Sequence, residues 1–237
     1  MLRIVAVVCS YWPKRRENLT RIVADLRSGT HPPDRILVLD NNPERNLGSV
    51  LEADVIHAPN TECRGKFVAA LFDPADYYLL LDDDTSVGKK TLEVLIHHAR
   101  RDTCTGYLGC WVTDEGLVST GKRLWPHDAK IETSCDTFCG CAMFMSFAAI
   151  VRMLMLEERV RLGTWQEERL AGDDILAGLA NDSTVVPLRG VDERFVDLGY
   201  QDEAMCYAHE DYYGMRDRFT QVTLAALTKE PLPWWKP

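Results

Sequence analysis

Residues 3–9, RIVAVVC, form an unbroken apolar run rich in β-branched side chains, the pattern of a strand buried on both faces. A polar loop, SYWPKRREN, follows. Leu19, Ile22, Val23 and Leu26 then fall on one face of a helix that Gly29 ends. Residues 35–40, RILVLD, repeat the buried-strand pattern and run into Asp40-Asn41-Asn42-Pro43. DVIHAP predicts a short third strand, and residues 65–72 a helix. YYLLL, residues 77–81, predicts a fourth strand, and it drives straight into Asp82-Asp83-Asp84. Thr91, Leu92, Leu95, Ile96 and Ala99 predict another amphipathic helix.

Strand and helix thus alternate through the first hundred residues. That order predicts an α/β fold with a mostly parallel sheet flanked by helices. Such sheets bind ligands beyond the carboxyl ends of their strands. The polar groups of this chain fall there: Ser10 and Tyr11 after the first strand, Asp40 and Asn41 after the second, the aspartate triplet after the fourth. Beyond residue 102 the pattern loosens. GYLGCWV and CAMFMSF predict strands, separated by a loop-rich stretch over residues 113–138. Residues 148–162 predict a helix, DDILAGLA a short one opening at Asp173 or Asp174, STVVPL a strand, and residues 213–227 a last helix. No repeat or linker interrupts the chain. One domain over residues 1–237 is expected, with a ligand-binding first half (1–102), a second half that completes the site (103–228) and a Pro-rich tail (229–237).

Composition narrows the field without naming a function. The 46% apolar content supports a full core, and the net charge of −9 opposes a general nucleic-acid binder. Lys14, Arg15, Arg16, Lys122 and Arg123 leave room for a local basic strip. Eight cysteines occur without a secretory signal, which fits reduced thiols and a cytoplasmic protein. Cys9, Cys110 and Cys141 lie in strand-like runs, where a thiol serves as a small hydrophobe. Cys135, Cys139 and Cys141 lack the paired second half of a zinc site. The apolar stretch over residues 138–156 is broken by Arg152 and reads as strand plus helix, so no membrane span is expected.

The chemistry lies in the acidic clusters. Three adjacent carboxylates repel one another and are costly to desolvate, so they either stay solvated or hold a hard divalent cation. A second acidic pair, Asp173-Asp174, opens a helix, and His209 is followed by Glu210 and Asp211. Taken together, these features resemble the GT-A glycosyltransferases, with family 2-like members the closest pattern, over roughly residues 2–220. The resemblance implies a GT-A-like fold and transfer of a sugar from a nucleotide sugar, UDP by default, to a hydroxyl acceptor.

Site residues follow from the same resemblance. Asp82-Asp83-Asp84 matches Asp-x-Asp, in which the last aspartate ligates Mn²⁺ or Mg²⁺ on the donor diphosphate and the first lies near the ribose or sugar. Asp40 matches the acidic residue that holds the uracil or ribose, with Asn41 beside it. Ser10 and Tyr11 match the loop that lines the base. Arg64 and Lys66 match a basic loop facing the donor phosphates. Asp173-Asp174 resembles the Glu-Asp motif, with Asp174 in the place of the general base of inverting members and Asp173 where the usual Glu stands. His209 matches a late histidine that completes the metal shell in some members.

Simpler roles exist for several of these residues. Asp40 suits a turn with Asn41, Asn42 and Pro43, Asp173 or Asp174 suits a helix cap, and Trp234 and Trp235 suit packing of the tail. Two other functions share parts of the pattern. An aspartate-nucleophile phosphatase also uses Asp-x-Asp after a buried strand, but after the first strand rather than the fourth. A non-catalytic sugar- or nucleotide-binding protein would keep the fold with a degenerate metal site. A sugar nucleotidyltransferase would need a Gly-rich loop after the first strand, and CSYWPKRREN has no glycine. An EF-hand would need glycine where Val87 stands. The acceptor stays open among saccharide, lipid carrier, protein, metabolite and modified nucleobase.

Overall fold

A computed structural model describes residues 2–44, 47–50, 52–59, 64–140, 142–161, 172–199 and 210–229. In the first half, β1 (Ile4–Ser10), α1 (Arg16–Ser28), β2 (Arg35–Asp40), β3 (Asp54–His57), α2 (Gly65–Leu71) and β4 (Tyr77–Asp82) follow the predicted order. β5 (Thr85–Val87) and α3 (Thr91–His97) come next. In the second half, β6 (Thr103–Gly106), β7 (Gly109–Cys110), β8 (Arg123–Leu124), β9 (Thr133–Cys135) and β10 (Thr137–Phe138) are short. They lead into β11 (Ala142–Ser146), α4 (Phe147–Arg161), α5 (Asp173–Leu179), β12 (Asp182–Val185), β13 (Phe195–Asp197) and α6 (Tyr212–Lys229).

One eight-stranded sheet runs through both halves in the order β3-β2-β1-β4-β11-β6-β12-β9. Its β3-β2-β1-β4 part is parallel, β11 runs antiparallel between β4 and β6, and β12 returns parallel to β6. The alternation of side chains along β1 explains the layering. Ile4, Ala6 and Val8 pack with Leu19, Ile22, Val23 and Leu26 of α1 and with Leu92 and Leu95 of α3. Val5 and Val7 point the other way, into a core shared with Phe67, Ile150, Met153, Leu176 and Phe219. Both faces of β1 are therefore dry, as its continuous apolar run requires. Each Val or Ile so buried contributes roughly 1.5–3 kcal/mol of transfer free energy.

Two local expectations are corrected. Residues 106–112 are not one strand: Gly106 closes β6 in the main sheet, while Gly109 and Cys110 form β7 in a separate sheet with β8 and β10. The pattern also gave no sign of β5 and β13, which pair antiparallel with Thr85 opposite Asp197. Both are three residues long, and β5 is held by a partner more than a hundred residues away. Cys110 is buried in the core as its apolar run predicts, Cys104 and Cys135 are buried as well, Cys9 is half-buried, and Cys141 lies outside the described residues. Among the described residues no helix is long and apolar enough to cross a membrane.

Candidate active site

The parallel register brings three strand ends to one level. Ser10 of β1 lies opposite Asp40 of β2, and Cys9 opposite Asp82 of β4. The acidic triplet is the junction between β4 and β5, pinned further by the Leu198 amide, which donates to the Asp84 carbonyl at 2.8 Å. Its carboxylates divide between two cations, with Asp83 and Asp84 on Arg15 and Asp82 on Lys66.

Asp83 turns toward the loop after β1. It accepts hydrogen bonds from the Ser10 hydroxyl (3.1 Å), the Tyr11 amide (3.2 Å) and the Arg15 guanidinium (2.9 Å). Arg15 also lies 3.0 Å from Asp84, and Asn18 donates to the Asp83 carbonyl at 2.9 Å. Asp82 faces the opposite side, where Lys66 of α2 stands 2.8 Å away. The same ammonium lies 3.4 Å from Asp173 at the start of α5. Lys66 thus links the triplet to the second acidic pair. Its side chain is 1% exposed, whereas that of Asp82 keeps 28% of its surface open, more than Asp83 or Asp84.

The electrostatics follow from this crowding. Among the described residues, two cations, Arg15 and Lys66, stand against four carboxylates, an excess of two formal negative charges among these groups. Burial, reinforced by the Asp84 and Asp173 charges, pushes Asp82 up to about 6 although Lys66 pulls the other way. Burial also raises Asp83 and Asp84 against the pull of Arg15. For Arg15, burial disfavours the charged guanidinium, but the hydrogen bond to Asp83 and the charges of Asp84 and Asp83 outweigh it and raise its pKa.

Not every residue singled out by the sequence joins this cluster. Asp40 is buried, with His57 Nδ1 at 2.8 Å and the Asn42 amide donating to it at 3.1 Å, so the turn role and a place at the strand end coexist. The Asn41 amide donates to the Ser10 carbonyl at 2.8 Å, which ties the β1 and β2 ends together. Arg64 pairs at 2.9 Å with Glu157 of α4. His209 lies outside the described residues, as do Trp234 and Trp235. Among the described residues no three His, Cys, Asp or Glu side chains stand together as a ready ligand group.

The two halves of the second acidic pair diverge. Asp173 faces Lys66, while Asp174 is buried against Arg216 of α6, whose Nη1 lies 2.9 and 3.1 Å from its two oxygens. The Gly140 amide adds a third hydrogen bond to Asp174 at 3.2 Å. Position 140 has φ +135°, and a β-carbon there would meet the Tyr107 ring, so glycine is needed for this approach. Burial pushes Asp174 up to about 6, although Arg216 pulls it down. The base assigned from sequence is thus covered by a guanidinium in this structure.

Arg15, Asn18 and Arg216 were missed. Arg15 and Asn18 lie four residues before Leu19 and Ile22, so they extend the buried stripe of α1 toward the site. Arg216 shares the buried face of α6 with Phe219, Thr220, Thr223 and Leu227. A polar residue in register with an apolar stripe was the available signal in both cases.

The sequence match settles the family. The model of glycosyl transferase family 2 matches residues 6–160, well over half of the chain and inclusive of the acidic triplet. The chain belongs to glycosyl transferase family 2. This family 2 chain is also similar in fold to solved structures. One is the mannosyltransferase PcManGT of Pyrobaculum calidifontis, solved with GDP-Man and Mn²⁺: 13% identity, TM-score 0.50, 96% of this chain and 74% of that one. Another is S. aureus TarS residues 1–349 with UDP-GlcNAc: 13% identity, TM-score 0.59, 98% of this chain and 68% of that one. Both likenesses concern the fold, which is of the GT-A type. No curated protein matches the family 2 chain by sequence. Membership makes it a glycosyltransferase and removes the phosphatase reading.

Proposed function

We propose that the chain moves a glycosyl group from a nucleotide sugar to a hydroxyl acceptor by a single inverting displacement that uses Mn²⁺ or Mg²⁺. One observation carries the reading. In a family 2 chain, the ends of β1, β2 and β4 and the start of α5 bring a base-side loop, an acidic triplet, a buried lysine and a second acidic pair to one place. Ser10, Tyr11, Asp40 and Asn41 line the nucleoside side. Lys66 supplies positive charge beside the triplet. The donor ligands of PcManGT and TarS, a GDP-sugar and a UDP-sugar, support a nucleotide-sugar donor and leave the base to experiment.

The described donor groups fit a hard divalent cation: carboxylate oxygens, with negative charge in excess among the described residues. Asp82 and Asp84 would hold it, with His209 as a further ligand. Such an ion supplies Lewis-acid stabilisation of the charge that develops on the departing diphosphate. The protein's own part is to orient donor and acceptor and to take the acceptor proton. A sugar hydroxyl is a weak nucleophile and needs a base within hydrogen-bond reach. The pair Asp173-Asp174 provides it. The acceptor side is built by the second half of the chain, from Trp111 onward.

Thermal melting with UDP, GDP and their sugar conjugates, each with and without Mn²⁺, tests the reading, because ligands of the native state raise its melting temperature. A shift requiring both nucleotide and metal is expected. Asp84→Ala should abolish it; a variant with undiminished metal-dependent UDP affinity would refute the metal assignment.

A further inference from the structure

A strip of aromatic rings in the second half lies against the frames of both acidic clusters. Tyr107 follows β6, and its amide donates to the Ala142 carbonyl at 2.9 Å. A β-carbon at position 140 would lie 2.7 Å from the Tyr107 ring, so that ring rests on Gly140, whose amide holds Asp174. The same ring lies 5.7 Å from Phe195 of β13. That strand continues through Asp197, opposite Thr85, to the Leu198 amide that holds the Asp84 carbonyl. Tyr107 thus stands between the supports of the acidic pair and those of the triplet.

Two further rings extend from it. Trp125 meets Tyr107 edge-on, with centroids 5.2 Å apart and planes at 87°, and His127 lies nearly parallel to Trp125, at 5.8 Å and 23°. Trp125 is 37% exposed, and the His127 side chain 43% exposed. Neither ring is carried on a slack loop. The Asp128 and Ala129 amides both donate to the Trp125 carbonyl, at 3.0 and 3.1 Å, and the Leu188 amide donates to the Pro126 carbonyl at 3.0 Å. Arg189 Nε donates to the Ala129 carbonyl at 2.8 Å. Aromatic surface fixed in water beside convergent polar groups suits a ligand.

The chemistry of the strip selects its occupant. Indole, phenol and imidazole rings each join an apolar face to a polar tip. A pyranose has the complementary form, a face of C–H bonds with a rim of hydroxyls. A phosphodiester chain would instead meet the carboxylate-rich triplet of a chain whose net charge is −9, and its binding rests on basic side chains. A lipid tail calls for an aliphatic groove. Exposed groups of that kind, Val68, Leu71 and Phe72, stand on and just after α2.

We infer that Trp125 and His127, backed by Tyr107, form the acceptor subsite, and that the acceptor is a saccharide whose pyranose ring stacks on Trp125 and offers its hydroxyl past Tyr107 to the acidic pair. The inference rests on the transferase reading above, which left the acceptor class open.

The test uses the full chain with Mn²⁺ and UDP or GDP, and the methyl glycosides of glucose, galactose, mannose and N-acetylglucosamine as probes. Saturation-transfer NMR reads which probe protons lie on the protein. The ring C–H protons of at least one glycoside should carry the strongest signal. Trp125→Ala should remove that signal, and Trp125→Phe should keep most of it. In transfer from UDP-glucose, UDP-GlcNAc or GDP-mannose to the same glycoside, Trp125→Ala should raise KM about tenfold, the loss of one stacked ring. The nucleotide- and Mn²⁺-dependent thermal shift should keep its wild-type size. Phe72→Ala removes a ring that is 75% exposed and precedes β4, and should leave the glycoside KM as it is. Should Trp125→Ala not fold, His127→Ala carries both readouts, with a weakened signal and a raised KM expected.

A wild type that shows the nucleotide-dependent shift but no glycoside signal overturns the inference. So does a glycoside signal that survives the changes at Trp125 and His127. Transfer to a hydroxymethylcytosine oligonucleotide, a serine peptide or an isoprenoid phosphate, with a KM that Trp125→Ala does not move, overturns it as well. A wild type without any nucleotide-dependent shift rejects the transferase reading itself, and the subsite falls with it.

Discussion

Two buried ionic clusters lie within this fold, and they differ in charge balance. At the Asp174–Arg216 pair, one carboxylate meets one guanidinium, with amide and carbonyl groups satisfying the remainder. At the triplet, Asp82, Asp83, Asp84 and Asp173 share Arg15 and Lys66. The first cluster is complete in itself and joins α5 to α6. Among the described residues the second is short of positive charge, a deficit that the divalent ion proposed above would offset. A buried pair that balances does structural duty. A buried cluster that does not balance carries a standing energetic cost, which function explains.

The comparison is broken most severely at Arg216. Arg216→Met leaves Asp174 buried without its partner, and chemical denaturation should show a loss of about 3–5 kcal/mol. Mn²⁺ should not restore it, because this cluster has no excess charge to offer. Arg15→Met should cost somewhat less, about 3 kcal/mol, since Asp83 keeps the Ser10 hydroxyl and the Tyr11 amide. Here added Mn²⁺ should recover part of the loss; equal losses with and without metal would place the triplet in the same structural class as Asp174–Arg216.

Acidity gives a finer probe. Asp82 and Asp174 both stand at about 6 in the folded chain, above the unfolded value of about 3.9. A raised carboxylate contributes stability that is whole below about pH 4 and is lost as pH rises through about 6. Wild-type melting temperature should therefore fall between about pH 4 and pH 6.5 and level off above that. The fall should shrink in the Asp174→Asn/Arg216→Gln double variant, which lacks one of the two groups. An unchanged slope would mean that Asp174 does not titrate in that window. The smallest effect belongs to a surface pair. Arg21 lies 3.6 Å from Asp25 one turn along α1, with its side chain 60% exposed. Arg21→Ala should change stability by no more than about 0.5 kcal/mol, measured by the same denaturation.

Much of the first half was legible along the chain. β1, β2 and β4 read as buried strands because apolar runs of four to six residues bounded by polar groups have few other uses, and α1 announced itself through Leu19, Ile22, Val23 and Leu26. The second half was less so. β7, β8 and β10 are two residues each, too short for any period to register. β13 exists because β5 lies beside it, and no local pattern encodes such a partner. In the site, the aspartates were visible as residues, but the directions of their side chains were not.

The sequence by itself determined the alternation of strands and helices, the placing of acidic groups at strand ends and the family to which the chain belongs. These rest on local periodicity and on motifs of neighbouring residues. Only the tertiary structure decided how the charges pair. It sent Arg15 from an apparently solvated basic run into the triplet, paired Arg64 with Glu157, set Lys66 between Asp82 and Asp173, and laid Arg216 on Asp174. Those partners are 16 to 107 residues apart in sequence, as for Lys66–Asp82 and Lys66–Asp173. An ion pair of that kind depends on distance in space and on the exclusion of water, and neither exists until the sheet and its helices have closed around it.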